Sequence, residues 1–395
     1  MFSGDPLDEQ EYRVLLADFR QQYPQYAVNL VPIPDPANYD TRLASDYAAG
    51  APPDVAVIDY RRVLRLAERN LLEPLGPRLA ASAVLSEGAF YAETLLPFQG
   101  GQGLWCLPRT ADTLAVYYNR AVFDTAQVAY PEPKWTWADF VTKAVALTRD
   151  TTGDGQTDLY GVGWQPALDR VAPLIWQGKG ELVDRPVFPR ELTINSPAAF
   201  KGLRWFTNLQ VELKVAPDAV AEASEPLPAR FLSQRLAMWI APRRATALLR
   251  ASAPFHWDVA PLPRNWGRQV NLLLMDGYCL AAQSQHKDAA WAFIEYAASA
   301  AGQTRLANSG RIVPTLPRVA ESPAFLDPTQ APAHAQVFLD NLPHARAFPM
   351  IDNWVNIQAL VDNELERAFY DQITIYEAMN NVVMTSEEYF RGYVK

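Results

Sequence analysis

Apolar residues recur along the chain with two alternating periods, and the switches between those periods mark out its elements. Tyr12, Leu15, Leu16, Phe19 and Tyr23 share one face at helical spacing, which predicts a helix over 9–23. The β-branched run at 26–32 predicts a short strand after it. A polar helix ending at Ala48-Ala49-Gly50 leads to Asp54-Val55-Ala56-Val57-Ile58-Asp59. That run is continuously apolar between its two carboxylates, as strands buried on both faces of a parallel sheet are. Its carboxyl end carries Asp59, Tyr60, Arg61 and Arg62, and ligands in open α/β sheets bind beyond such ends, so Asp59 and Tyr60 become site candidates.

The segment 104–119 places a proline, an arginine and a carboxylate between two apolar runs. It predicts a strand, a ligand-facing loop holding Asp112, and a second strand, with Arg109 placed to orient Asp112 or to bind ligand itself. Beyond Asn119, Thr136 and Asp139 have capping-box spacing and open a helix to about Thr148. A Gly/Asp turn at 150–158 precedes a short strand at 160–164, and Ser196-Pro197 opens a helix through Leu209. Strands are predicted at 255–263 and 271–282, then an amphipathic helix at 287–300.

Length adds that 395 residues exceed one ordinary core, so two domains or one elaborated domain are expected. With 49% hydrophobic and 20% charged residues the composition is that of a folded globular chain. A net charge of -9, spread without acidic blocks, argues against nucleic acid or an anionic membrane surface as partner. No run of eighteen apolar residues occurs, and no charged-then-apolar leader opens the chain, so a mature or trimmed form without its export segment is expected.

Candidate metal and nucleophile chemistry is sparse. His256, His286, His334 and His344 show no zinc spacing. Asp150, Asp154, Gly155 and Asp158 resemble the start of a calcium loop, but Gly161 stands where its bidentate glutamate belongs, so a plain turn is expected and no metal or cofactor. Cys106 and Cys279 fit no CxxC or zinc pattern; a disulfide and two buried thiols are both open.

Taken in order, Gly50-Ala-Pro-Pro-Asp-Val55, Leu72-Glu-Pro-Leu75, Leu107-Pro108 to Tyr118-Asn119, Trp135-Thr-Trp-Ala-Asp-Phe140 and Asp154-Gly-Gln-Thr-Asp-Leu-Tyr-Gly161 form a pattern. It continues through Thr193-Ile-Asn-Ser-Pro197, Leu236-Ala-Met238, Trp257-Asp-Val-Ala-Pro-Leu-Pro263, Asp276-Gly-Tyr278 and Ala289-Ala-Trp-Ala-Phe293. Over nearly its whole length the chain resembles the extracytoplasmic solute-binding proteins of ABC importers, in the maltose-binding-protein-like family that takes sugars and oligosaccharides. It departs from the pattern at its start, where Phe2 on a shortened first strand replaces the usual tryptophan.

The resemblance implies an α/β, two-lobed periplasmic-binding-protein type II fold with the ligand cleft between lobes. One lobe comprises 1–109 and 271–316, the other 110–270 and 317–395. It places Cys279 beside Cys106, with two packed thiols preferred to a disulfide. It also implies a non-enzymatic, monomeric protein outside the cytoplasm, periplasmic or lipid-anchored, that closes on a carbohydrate and presents it to membrane permease subunits. Carried onto this sequence, the ligand contacts are Asp59, Tyr60, Arg109, Gly277 and Tyr278 from the first lobe and Asp112 at the first crossing between lobes. Trp164, Trp176, Gln177, Trp239, Arg243 and Trp354 come from the second, with Trp239 the preferred stacking platform. Trp135, Trp137, Trp205, Trp257 and Trp291 fall at periodic positions and are assigned to the core. Sugars suit such a set, since carboxylates and amides match hydroxyls while flat rings cover C–H faces. Two alternatives stay open: a phosphorylated or acidic ligand such as a glycerol phosphate ester, held by arginines, and an enzyme on the same scaffold using Cys106 as thiaminase-type transferases use a cleft cysteine.

Overall fold

The computed structural model describes residues 2–3, 6–33, 35–101, 103–186, 189–351 and 353–390. Its chain divides into two compact units, Met1–Asp112 with Leu274–Asp327, and Thr113–Leu273 with Pro328–Lys395. Each unit is therefore assembled from segments distant in sequence.

In the first unit the apolar run at 55–59 is a strand, Val55–Asp59, at the edge of a three-stranded sheet. The centre of that sheet is the late strand Leu274–Leu280, antiparallel to Val55–Asp59 on one side and to Cys106–Asp112 on the other. Two helices against this sheet, Pro6–Gln22 and Lys287–Ala298, bury Leu15, Phe19, Phe293 and Ile294. The helical stripe read at 9–23 thus starts earlier, at Pro6. Of the run at 26–32 only Pro32–Ile33 pairs as a strand, with Phe2–Ser3. Met1 and Gly4 lie outside the described residues. The helix predicted to Ala300 stops at Ala298, because Ser299 caps a new helix, Ala300–Asn308, by accepting the Gly302 N–H.

Two sequence readings change here. The expected loop around Asp112 is absent: Cys106–Asp112 and Leu114–Asn119 are strands separated by Thr113 alone, and Pro108 and Arg109 lie inside the first. A proline is tolerated there because Cys106–Asp112 is an edge strand, paired on one side only. The cysteines, expected as free thiols, form a disulfide. Their strands bring them directly opposite each other, with Cα atoms 4.4 Å apart, the spacing of a non-hydrogen-bonded antiparallel pair.

The second unit is built on a four-stranded sheet in the order Trp257–Ala260, Leu114–Asn119, Leu236–Pro242, Tyr160–Gly163. Leu114–Asn119 is antiparallel to both neighbours, and Tyr160–Gly163 parallels Leu236–Pro242. The capping box at Thr136 and Asp139 forms as read and opens the helix Trp137–Leu147. Ser196 likewise caps Pro197–Val211 with proline at its first turn. That helix lies so close to Leu168–Gln177 that a Cβ at Gly202 would sit 2.3 Å from the Leu174 carbonyl oxygen. The run read as one strand over 271–282 is split: Asn271–Leu272 pairs with Ala345–Arg346 in this unit, and Leu274–Leu280 belongs to the other. Among the described residues no helix is long and apolar enough to cross a membrane.

Candidate ligand-binding site

One end of the first unit's sheet collects charge. Register places Asp276 opposite Asp59 on one side and Thr110 on the other, with Asp112 opposite Leu274. Asp59 ends its strand and caps the helix Tyr60–Glu68, accepting the Arg61 N–H at 2.9 Å and the Arg61 guanidinium at 2.8 and 2.7 Å. Arg109 is held the same way by Asp276, Nε to Oδ1 at 2.7 Å and Nη2 to Oδ2 at 2.6 Å. Burial works against its charge, but Asp276 more than compensates and raises the guanidinium well above its usual value. Asp276 is the residue the sequence reading missed, although the motif Asp276-Gly277-Tyr278 contained it.

Tyr60 and Tyr278 are fully buried, and Asp112 is buried at 6% exposure. Gly277 has a packing reason: a Cβ there would meet the Leu107 carbonyl oxygen and the Phe98 ring at 2.9 Å. A register shift also falls between Asp276 and Gly277, so the strand bends where the Arg109 pair forms. Tyr278 adjoins Tyr12, and burial raises both phenols, Tyr12 to about 12.

In the second unit an aromatic chain runs from Trp176 through Phe348 to Trp354, with centroid separations of 6.4 and 5.4 Å. The helix Leu168–Gln177 supplies Trp176 and Gln177 from its last turn, and Trp354 opens the helix Trp354–Phe369. Both indole N–H groups are buried without a hydrogen-bond partner among the described residues. Gln177, also buried, accepts the Trp137 indole N–H at 2.7 Å. Arg346 lies 4.6 Å from the Trp176 ring centroid and forms a two-point ion pair with Glu181, at 3.1 and 2.6 Å. Arg346 and Phe348 join the candidates only through these contacts, since neither sits at a periodic boundary of the sequence.

The family of bacterial extracellular solute-binding proteins matches this chain over residues 4–304. The chain belongs to that family. Among solved structures it is similar to an ABC substrate-binding protein from Listeria monocytogenes in complex with cycloalternan. The two share 20% identity over 98% of this chain and 97% of that one, with a TM-score of 0.89. It is similar to maltose-bound MalE3 of T. maritima, with 22% identity, 97% coverage of each and a TM-score of 0.83. It is also similar to UgpB of Mycobacterium tuberculosis in complex with glycerophosphocholine, with 19% identity, 99% and 97% coverage, and a TM-score of 0.85. At these identities the likeness shows the fold, a mixed α/β two-lobed solute-binding protein.

Within this solute-binding protein the remaining candidates, Trp164, Trp239 and Arg243, lie in the second unit. Trp164 is buried, donates its indole N–H to the Arg170 carbonyl at 3.0 Å, and packs on Phe140, Trp205 and Phe206. Trp239 is mid-strand in Leu236–Pro242, with Tyr117 and Phe231 rings at 6.0 and 5.9 Å. Arg243, just past that strand, is buried with its guanidinium 5.2 Å from the Phe338 ring centroid. Cys106 carries no thiol while bonded to Cys279, which removes the nucleophile that the enzyme reading required. In the 150–158 turn, Asp150 accepts the N–H groups of Gly153 and Gly155, and Asp158 those of Thr151 and Thr152.

Proposed function

We propose that this solute-binding protein takes up a carbohydrate, a sugar or oligosaccharide, outside the cytoplasm and delivers it to an ABC importer by hinge closure, as a monomer. The observation that carries the reading is the pair of buried indole donors at Trp176 and Trp354 in an aromatic chain. A buried donor left unmade costs about 1–3 kcal/mol, and a sugar supplies both acceptor oxygens and an apolar face for the rings. Asp112 is the carboxylate assigned to ligand hydroxyls in the other unit. The relatives bound to cycloalternan and maltose support the same class.

The arginines favour a neutral ligand over an anionic one. Arg61, Arg62, Arg109 and Arg346 each face a carboxylate of this chain, Asp59, Asp40, Asp276 and Glu181. An anion would have to displace those partners. The glycerophosphocholine complex keeps a phosphodiester as the second reading. A thermal-shift panel of mono- and oligosaccharides, polyols and glycerol phosphate esters separates the two, because a ligand that binds only the native state raises its midpoint. A shift with a carbohydrate that Asp112→Asn abolishes is the expected result; shifts confined to the phosphate esters would replace the carbohydrate reading.

A further inference from the structure

A cavity of about 380 Å3 lies inside the second unit, within the size range of small-molecule sites. Trp164, the candidate that follows the strand Tyr160–Gly163, lines it together with Phe369 and Tyr370. So do three carboxylates, Glu222, Asp362 and Glu366, while among the described residues no lysine, arginine or histidine does. Sequence spacing sets part of this lining. Asp362, Glu366 and Tyr370 recur every four residues along and just past the helix Trp354–Phe369, so one helical face presents them in a row.

The arginines that act on these carboxylates from outside the lining, Arg170 on Asp362 and Arg230 on Glu222, are paired with Asp169 and Glu225 at 2.8 and 3.6 Å. Burial raises the Glu222 carboxyl, and the Tyr370 phenol is pushed up by burial and then by Glu222 and Glu366. Negative potential thus faces an aromatic surface. That combination recognises an organic cation, because ring faces attract an ammonium group and carboxylates accept its N–H bonds. A bare metal ion does not fit: no three carboxylate, imidazole or thiolate groups among the described residues are placed to hold one. The amides of Gln165 and Asn363 in the same lining match hydroxyls, which a simple amine would leave unused.

We propose that this cavity takes an ammonium-bearing carbohydrate, an amino sugar or an oligosaccharide containing one, with its amine facing the carboxylates of Glu222, Asp362 and Glu366 and its ring against the aromatic lining. The inference rests on the carbohydrate reading and narrows it. Paired arginines disfavour an anion, whereas these carboxylates select a positive charge.

The test compares glucosamine, galactosamine and the β-1,4-linked glucosamine disaccharide with glucose, galactose and cellobiose, which carry a hydroxyl in place of each amine; spermidine serves as an amine without a sugar. In calorimetric titration an amino sugar is expected to bind at least about tenfold tighter than its hydroxyl counterpart. Glu222→Gln combined with Glu366→Gln is expected to remove that preference while leaving the unliganded unfolding midpoint within about 2 °C. Glu366→Gln alone, at an exposed position, is expected to reduce the preference and carries the test if the double variant does not fold. Equal or tighter binding of the hydroxyl counterparts overturns the inference and leaves the carbohydrate reading standing. A preference for amines that survives both substitutions also overturns it, since the amine would then be read elsewhere. Binding of none of the amino sugars overturns it too, and binding of spermidine or phosphate esters with no sugar bound removes the carbohydrate reading as well.

Discussion

Trp176 shows how a single side chain can be read in two ways. It is 2% exposed, which suits a core residue, yet its indole N–H has no partner among the described residues, which does not. Trp176→Phe keeps the ring and deletes the donor. It is expected to weaken carbohydrate binding by about fivefold in calorimetric titration while leaving the ligand-free midpoint unchanged, since one hydrogen bond is worth about 1 kcal/mol. Equal affinity in the variant would remove Trp176 from the site. Gly277 is the contrasting case, where contact distance gives the reason for the residue. Gly277→Ala places a methyl 2.9 Å from the Phe98 ring and the Leu107 carbonyl oxygen, and is expected to destabilise the protein by about 1–3 kcal/mol in urea unfolding.

At the scale of elements, caps and pairings were legible wherever the signal is local. Thr136 with Asp139, and Ser196 with Pro197, specify helix starts because each cap is satisfied within three residues. The helix Leu168–Gln177, which positions Trp176, was not legible at its start. Its cap is Asp362, some two hundred positions later, whose carboxylate accepts the Leu168 N–H at 2.6 Å. Burial raises that carboxyl from 3.8 to about 6, against the lowering effect of the Leu168 hydrogen bond. The native protein therefore holds a proton there that the unfolded chain has already released, so stability falls as pH rises from about 4 to about 6 and then levels. Asp362→Asn is expected to flatten that part of the stability profile by up to about 3 kcal/mol, measured as urea midpoints at pH 4, 5, 6 and 7. An identical profile in the variant would place the proton uptake elsewhere.

For the whole molecule, the decisive fact is that each unit is discontinuous in sequence. The disulfide formally closes a very long loop, but inside the second unit the Asn271 side chain bonds the Leu114 N–H at 3.0 Å and its carbonyl at 2.8 Å. While that unit stays folded, the loop is effectively only about fifteen residues, for which chain entropy gives about 3 kcal/mol. Cys106→Ser with Cys279→Ser is thus expected to lower the first unit's unfolding transition by about that much and leave the second unit's transition in place. Loss of both transitions together in calorimetry would show that the units do not unfold separately.

The sequence by itself determined the family, the mixed α/β class, the helix caps and the core positions of Trp135, Trp137 and Trp257, because these follow from residue order and short-range periodicity. Only the tertiary structure decided that Pro108 and Arg109 are strand residues, that Asp276 holds Arg109, that Cys106 bonds Cys279, and that Trp176, Phe348 and Trp354 form one aromatic chain. Each of those depends on which distant segments share a sheet or a core. Periodicity carries no information about pairing at such separations, since the partner is chosen by burial and register after the chain has folded back on itself.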